Sequence, residues 1–338
     1  MSGSQDNGPP LPKIDVIIVN YCTRTLVVAC LESLELERAN VPGMRAIVVD
    51  NDSRDGSDEL IEAVIEERGW DWVTLLRAGA NRGFGAGNNL GVAYALDRAA
   101  PADLIWFLNP DTQVRAMAGL GLARFMACHP AAGIAGSALL ESDGQLWPFA
   151  FRFPTILGEI ERGARWGIVS RLLRQSSTMK RMGDRCEQVD WVSGASFVVR
   201  RELLESGLCF DEGYFLYYEE TDFCLHARRS GWECWYVPDA IVLHIAGQST
   251  GITGKQMTLR RLPAYWFHSR QRYFTKNHGR LYGMAADLGW VVAHIFSRLK
   301  NMVRGGDEPD PPNLLTDFLR HSSLVPSRFS APRNLSIG

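Results

Sequence analysis

Short, almost wholly apolar runs alternate along this chain with stretches in which apolar residues recur every three or four positions. Ile14–Asn20 (IDVIIVN) is such a run, the mark of a strand buried on both faces. After it Val27, Cys30, Leu31 and Leu34 fall at helical spacing. Arg45–Asp50 (RAIVVD) is a second buried strand, followed by a Ser/Asp/Gly turn and a helix carrying Leu60, Ile61, Val64 and Ile65. Val73–Arg77 and Leu104–Leu108 (LIWFL) read as a third and a fourth strand. This alternation predicts an α/β fold with a doubly wound, mostly parallel sheet. Such sheets take ligands at the carboxyl ends of their strands, where the strand order reverses. Here those ends carry Asn20-Tyr21, Asp50-Asn51-Asp52 and Asn109-Pro110-Asp111.

The second half is less regular. Phe197–Arg200 and Ala240–His244 read as strands and Thr221–Ser230 as a short helix. Residues 152–185 hold eight Lys/Arg against three acids and read as an amphipathic insertion. Farther on, Met284, Leu288, Val291, Val292, Ile295, Phe296, Leu299 and Val303 recur at helical spacing, with Arg298, Lys300 and Arg304 nearby. A basic amphipathic helix of this kind suits a membrane interface, or packs one face on a neighbouring domain. The expected organisation is a disordered tail at 1–12, a main domain at 13–250, a basic helical region at 251–304 and a Pro-rich tail at 305–338 with little structure of its own.

Composition narrows the class of protein. Across 338 residues the formal net charge is −2, which argues against a general nucleic-acid footprint. The average hides an asymmetry, since Lys255 to Arg304 hold ten Lys/Arg and one acid, Asp287. Seven scattered cysteines form no CxxC pair, so a reducing compartment fits better than a disulfide framework. The N-terminus lacks the apolar core of a signal peptide, and no apolar run approaches the roughly 20 residues of a membrane span. The expected location is cytoplasmic, or peripheral at the inner face of the cytoplasmic membrane.

Four polar constellations stand out. Asp50 and Asp52 follow a buried strand, where carboxylates accept hydrogen bonds from a base or ribose; Ser53 to Ser57 read mainly as turn and capping residues. Asn81-Arg82-Gly83-Phe84-Gly85-Ala86-Gly87-Asn88-Asn89 leads into a helix, a setting for phosphate or a plain helix-entry turn. Asp111 ends LIWFLNPD and suits a hard divalent cation shared with substrate phosphates, although Asn-Pro-Asp is also a turn signal. Glu219, Glu220 and Asp222 begin a helix after an aromatic run, which fits either helix-dipole stabilisation or a general base of raised pKa. His244 ends a further strand and gains meaning only beside another metal ligand.

Taken in order, these motifs resemble the family 2 glycosyltransferases of GT-A fold, and most of all their rhamnosyltransferases of cell-surface polysaccharide assembly. The matching segments are IIVNY, VVDNDSRDGS, NRGFGAGNNLG, FLNPD, WVSGASFVVRRELLESGLCFDEGYFLYYEETDFCLHARRSGW and VPDAIVLHIAGQST, spanning about 70% of the chain. The resemblance implies a Rossmann-like GT-A domain at 13–250, with a nucleotide-sugar half at 13–115, an acceptor half at 116–250 and a helical extension behind it. By the same resemblance Asn20, Tyr21, Asp50 and Asp52 hold base and ribose, while Asn81, Arg82, Gly83 and Asn88 line ribose and diphosphate. Asp111 takes the last acidic place of the DxD-type metal motif, whose first place here is Asn109, counted with the donor site. His244 matches a later metal ligand for Mg²⁺ or Mn²⁺. Glu220 matches the base, where Asp is commoner, which leaves Glu219 and Asp222 as alternatives. Trp191, Ser193, Gly194 and Ala195 match the floor of the acceptor and sugar site.

The implied activity is an inverting, metal-assisted transfer of a sugar to a glycan or polyprenyl-diphosphate-linked acceptor. By subgroup likeness the donor is dTDP-rhamnose. A sugar nucleotidyltransferase is the alternative enzyme, but it wants a glycine-rich loop directly after the first strand, where this chain has Asn20-Tyr21-Cys22-Thr23-Arg24. A non-catalytic nucleotide-sugar-binding protein is the other alternative.

Overall fold

The four apolar runs form strands with the bounds expected of them: three lie inside a sheet, and Val73–Arg77 stands half-buried at its edge. In chain order the elements are β1 (Ile14–Asn20), α1 (Arg24–Glu37), β2 (Arg45–Asp50), α2 (Ser57–Arg68), β3 (Val73–Arg77), α3 (Phe84–Leu96), β4 (Leu104–Leu108), β5 (Thr112–Val114) and α4 (Ala118–Cys128). Then come β6 (Ala132–Leu140), β7 (Leu146–Trp147), β8 (Phe149–Phe151), α5 (Ile156–Ala164), α6 (Gly167–Leu172), β9 (Met179–Arg181) and β10 (Glu187–Val189). The rest are β11 (Ser196–Arg200), α7 (Arg201–Glu205), α8 (Glu219–Arg229), β12 (Glu233–His244), α9 (Ala264–His278), α10 (Arg280–Arg304) and α11 (Leu314–Arg320). The computed structural model describes residues 10–141, 143–147, 149–245, 260–304 and 310–325. The expectations for most of the N-terminal tail, for 246–259 and for 305–309 and 326–338 lie outside the described residues.

The chain divides into two compact units, one of residues up to 153 with 178–258, the other of 154–177 with 259 onward. In the first, the main sheet runs β3-β2-β1-β4-β11-β6-β12-β10, with β5 on β12 and β7 on β6. β3, β2, β1 and β4 are mutually parallel, as the alternating pattern predicts. β11 runs antiparallel between β4 and β6. Every residue of β1 and β4 is buried.

Alternate side chains feed two cores. Val16, Ile18 and Val48 face Val27, Leu31 and Leu34 of α1, while Ile17, Val19 and Val49 pack with Val92 and Ala95 of α3. Fully burying such an aliphatic side chain contributes about 1.5–3 kcal/mol. α3 lies close on β1 because of its glycines: a Cβ on Gly87 would come within 2.8 Å of Val19, and one on Gly91 within 2.7 Å of Ile17. Part of the glycine-rich signature is therefore helix-on-strand packing.

β12 extends well beyond the five residues legible in sequence. Pro238 interrupts its pattern, and the register slips between Val237 and Ile241. A bulge lets the strand continue past a residue that cannot donate to the ladder.

The second unit departs from the sequence-based boundaries in two places. Of residues 152–185, read as an amphipathic insertion in the main domain, 154–177 belong to this unit and supply α5 and α6, and α5 packs along α10. That contact is tight: a Cβ on Gly163 would meet the Trp290 carbonyl at 2.7 Å, and one on Gly289 would meet Ile160 at 2.9 Å. Residues 314–320, expected to be tail, form α11, since Leu314 and Phe318 lie one turn apart and are buried with Phe267 and Trp290. At the centre Arg270, 2% exposed, donates to Glu159 at 2.7 and 3.0 Å and also bonds Asp287. Burial alone would push the Glu159 carboxyl up, but Arg162 and Arg270 outweigh it and hold it below its ordinary value.

Candidate active site

The turn after β2 is a closed polar knot. Asn20 Nδ2 donates to Asp50 Oδ1 at 2.7 Å and to Ser53 Oγ at 3.1 Å, and Asn20 Oδ1 accepts from Thr23 N and Oγ1. Asp50 also accepts from Ser53 Oγ at 2.6 Å and Ser53 N at 3.1 Å. Asn20 is fully buried and Asp50 nearly so, and their bonds tie β1 to β2. Asp52 adopts a left-handed φ of 62° and pairs with the exposed Arg54 at 2.7 Å. Tyr21 is half-buried beside this turn.

Asn51, which the sequence reading passed over, joins this turn to the glycine-rich loop. Its Nδ2 donates to Asn81 Oδ1 at 3.0 Å and to the Gly83 carbonyl at 3.2 Å, while its own Oδ1 is buried and unpartnered. Asn81 Oδ1 also accepts from Gly83 N at 3.0 Å. Gly83 has φ 95°, and a Cβ there would fall 2.2 Å from the Phe215 carbonyl, so no other residue fits. Phe84 N donates to that carbonyl at 3.1 Å. Asn89 reciprocates with the Phe210 backbone at 2.9 and 3.0 Å, and Arg82 pairs with Glu212. Asn88 turns inward, donating to the Phe84 carbonyl at 3.0 Å. Thus the loop carrying Phe210 to Phe215 is laced to the glycine-rich loop just before α8.

β5 and β12 bring the expected metal ligands together. Thr112 stands opposite His244 in their antiparallel register, and Ile245 N donates to the Asp111 carbonyl at 3.0 Å. His244 Nε2 thereby lies 3.5 Å from Asp111 Oδ1, an oxygen that is buried without a hydrogen-bond partner. An orphaned carboxylate oxygen facing an imidazole nitrogen fits a divalent cation that completes its shell with substrate oxygens. Among the described residues no third His, Cys, Asp or Glu joins them.

Asn109 connects this pair to the acceptor floor, since its N donates to the Ala195 carbonyl at 2.9 Å. Trp191 stacks on Phe151 at 4.0 Å and donates to the Arg152 carbonyl at 3.0 Å, while Ser193 Oγ accepts from Ala195 N at 3.3 Å. Over Gly194 sits Glu220: a Cβ at Gly194 would lie 3.7 Å from its carboxyl carbon. Left-handed Tyr217 and Tyr218, at φ 70° and 69°, turn the chain sharply into α8. The three acids then separate in role. Asp222 accepts from Tyr214 Oη at 3.1 Å and is tied into the core. Glu219 and Glu220 each keep one shielded oxygen, Oε2, with no partner.

Burial pushes the Glu220 carboxyl up to about 7, against backbone N–H bonds from Glu220, Gly194 and Thr221 that favour its charged form. Although Glu220 as a whole is only half-buried, its Oε2 is sealed from solvent, and that seal is what raises it. Glu219, buried beside it, is held well above its ordinary value by burial first and by Glu220 second. A carboxyl raised in the manner of Glu220 is chemically suited to accept a proton as a general base does.

With this geometry in hand, comparisons with known proteins carry the argument further. Residues 15–206 match the profile described as glycosyl transferase family 2. The chain is 30% identical over 249 residues to N-acetylglucosaminyl-diphospho-decaprenol L-rhamnosyltransferase of Mycobacterium tuberculosis, covering 70% of this chain and 78% of that one. It is 27% identical to rhamnosyltransferase WbbL of Escherichia coli, covering 68% and 83%. Among solved structures it resembles the Pyrobaculum calidifontis mannosyltransferase PcManGT, bound to GDP-Man and Mn²⁺, with a TM-score of 0.55, 16% identity, and coverage of 90% and 79%. That likeness is one of fold.

Proposed function

The chain belongs to glycosyl transferase family 2 and is a GT-A glycosyltransferase, and from that premise we propose that it transfers L-rhamnose from dTDP-rhamnose, with inversion, to a polyprenyl-diphosphate-linked sugar. The relatives' names as rhamnosyltransferases, one of them an L-rhamnosyltransferase of a diphospho-decaprenol acceptor, support the sugar and the acceptor class. The observation that carries the mechanism is the Glu220 carboxyl over Gly194, with one unpartnered oxygen and a proton affinity raised to about 7.

Glu220 takes the proton of the acceptor hydroxyl as its oxygen forms a bond to sugar C1. The bond from C1 to the diphosphate oxygen breaks on the opposite face, and its electron pair leaves with the nucleoside diphosphate. One base and one displacement invert the anomeric centre. Asp111 and His244 would hold Mg²⁺ or Mn²⁺, which neutralises charge on the leaving diphosphate. Asn51, Asn81 and Gly83 present polar groups to the nucleotide half, and Trp191 to Ala195 floor the acceptor half. The site works at the inner face of the cytoplasmic membrane, where such acceptors reside; among the described residues no helix is long and apolar enough to cross a membrane.

The test combines a thermal-shift panel of nucleoside diphosphate sugars, with and without Mg²⁺ or Mn²⁺, with transfer to a short-chain polyprenyl-diphosphate-linked N-acetylglucosamine. A donor at about 100 times its Kd stabilises the fold by about 2.7 kcal/mol. A metal-dependent shift selective for dTDP-rhamnose, with an inverted product, supports the reading. A shift without transfer points to a binding protein, and selectivity for another donor overturns the sugar.

A further inference from the structure

In the second unit α10 wears its large apolar side chains on the outside. The buried arc holds small or polar residues, Gly283, Ala286, Asp287, Ala293, His294 and Ser297, together with Trp290 and Val291. The opposite arc carries Leu288, Val292, Ile295, Leu299, Met302 and Val303, which are between 43% and 87% exposed. At 3.6 residues per turn these six fall within an arc of roughly 120°, and Leu281 extends it to a stripe about 33 Å long. Soluble helices place such a stripe toward their core. Beside its C-terminal end α6 exposes Ile168 and Leu172, one turn apart, at 58% and 79%. Contiguous apolar surface on this scale marks an interaction site.

Charge identifies the occupant. The described residues of this unit hold fourteen Lys/Arg against five Asp/Glu. None of the five acids is exposed, and each is engaged: Glu159 and Asp287 with Arg270, Asp310 with Arg165 and Arg298, Asp317 with Arg261, and Glu161 with Ser170. Arg171, Arg174 and Arg304 are exposed, with no carboxylate partner among the described residues. Trp166 lies 5.7 Å from Phe296, with Lys300 5.9 Å above its ring, an aromatic and cationic edge to the apolar stripe. That arrangement suits the boundary between headgroups and acyl chains. A second copy packed two-fold on this face would bring like charges together.

We propose that the outward face of α10, continued by α6, is a docking surface for an anionic lipid bilayer, on which the helix lies in the plane of the interface. It rests on the reading of a lipid-linked acceptor only for its purpose, since lipid binding is measured with neither donor nor acceptor present.

The experiment is flotation of the full chain with phosphatidylglycerol or phosphatidylcholine vesicles. Wild type is expected to float with phosphatidylglycerol and far less with phosphatidylcholine. Val292→Glu with Leu299→Glu, both at exposed positions, should lower the partition coefficient at least about tenfold while keeping the wild-type melting profile. Arg171→Gln, Arg174→Gln and Arg304→Gln together should erase the preference for the anionic lipid. Wild type left in the aqueous phase, or floating unaffected by the glutamates, overturns the proposal. So does a dimer in sedimentation that the glutamates split, without vesicle binding. Lost transfer to a detergent-dispersed acceptor with flotation intact counts against the proposed function and leaves the surface standing.

Discussion

Two regions at the carboxyl edge of the sheet are rich in buried polar atoms, and they use them differently. Around Asn20, Asp50 and Ser53 the side chains satisfy one another, and β1 and β2 are held in register by the result. Along Asp111, Glu219 and Glu220 an oxygen of each carboxylate is buried with no partner in the chain, as is Asn51 Oδ1 on the nucleotide side. An unsatisfied buried polar atom costs about 1–3 kcal/mol. A fold can retain such an atom where a ligand completes it. Under the proposed function the contrast divides residues that build the site from residues that take substrate, although both kinds stand in the same sequence motifs.

Substitutions can break that division. The largest expected effect is on Glu220→Gln, which should lower kcat by about 10²–10⁴ while leaving the donor-induced thermal shift in place. Its stability should move the other way. The folded carboxyl titrates at about 7 against an ordinary 4.5, so the folded state holds the extra proton between those values. Wild-type stability therefore falls as pH rises through that window. Above pH 7 the glutamine variant, free of the buried charge, should be more stable by ~2–3 kcal/mol in urea titrations. Next comes Asp111→Ala, for which the metal-dependent part of the donor shift should vanish and transfer should fall by ~100-fold or more.

On the other side of the comparison, Asp50→Ala should act first on the fold. It strands Asn20 Nδ2 and the Ser53 groups, and urea unfolding should show a loss of about 2–3 kcal/mol. The smallest effect is expected of Tyr214→Phe, which deletes one bond to Asp222. A loss of about 1 kcal/mol, with kcat changed only a few-fold, would keep Asp222 among the residues that build the site.

The sheet was legible because its inner strands are buried on both faces, and β1, β2 and β4 announce themselves as nearly continuous apolar runs, with β3 a half-buried edge strand beside them. β12 was legible only past its bulge, where Pro238 no longer hides the pattern. Periodicity found α10 but left open whether its apolar stripe faces a membrane or a neighbouring domain, and what sets the stripe outward, Arg270 and its carboxylates on the inner side, is not recorded in the spacing. α5 packs on α10 and α11 on α9 and α10, contacts between separate stretches of sequence that no local pattern records. In the site, motif order pointed to Asp111, His244 and Glu220, with Glu219 and Asp222 as alternatives to Glu220, and the bond from Tyr214 to Asp222 is a contact that no motif records. Asn51 was hidden between two aspartates, the more obvious chemistry.

The proposal that Glu220 is the base turns on the pH dependence of kcat/KM in wild type, Glu220→Gln, Glu219→Gln and Asp222→Asn. Wild-type activity should fall as pH drops through about 7, since only the deprotonated carboxylate accepts the acceptor's proton. Glu220→Gln should be slow and flat across that range, Glu219→Gln should keep the inflection, because burial and not the charge of Glu219 raises Glu220, and Asp222→Asn should keep the wild-type shape. A Glu220→Gln enzyme that retains both the inflection and activity within tenfold of wild type would contradict the account.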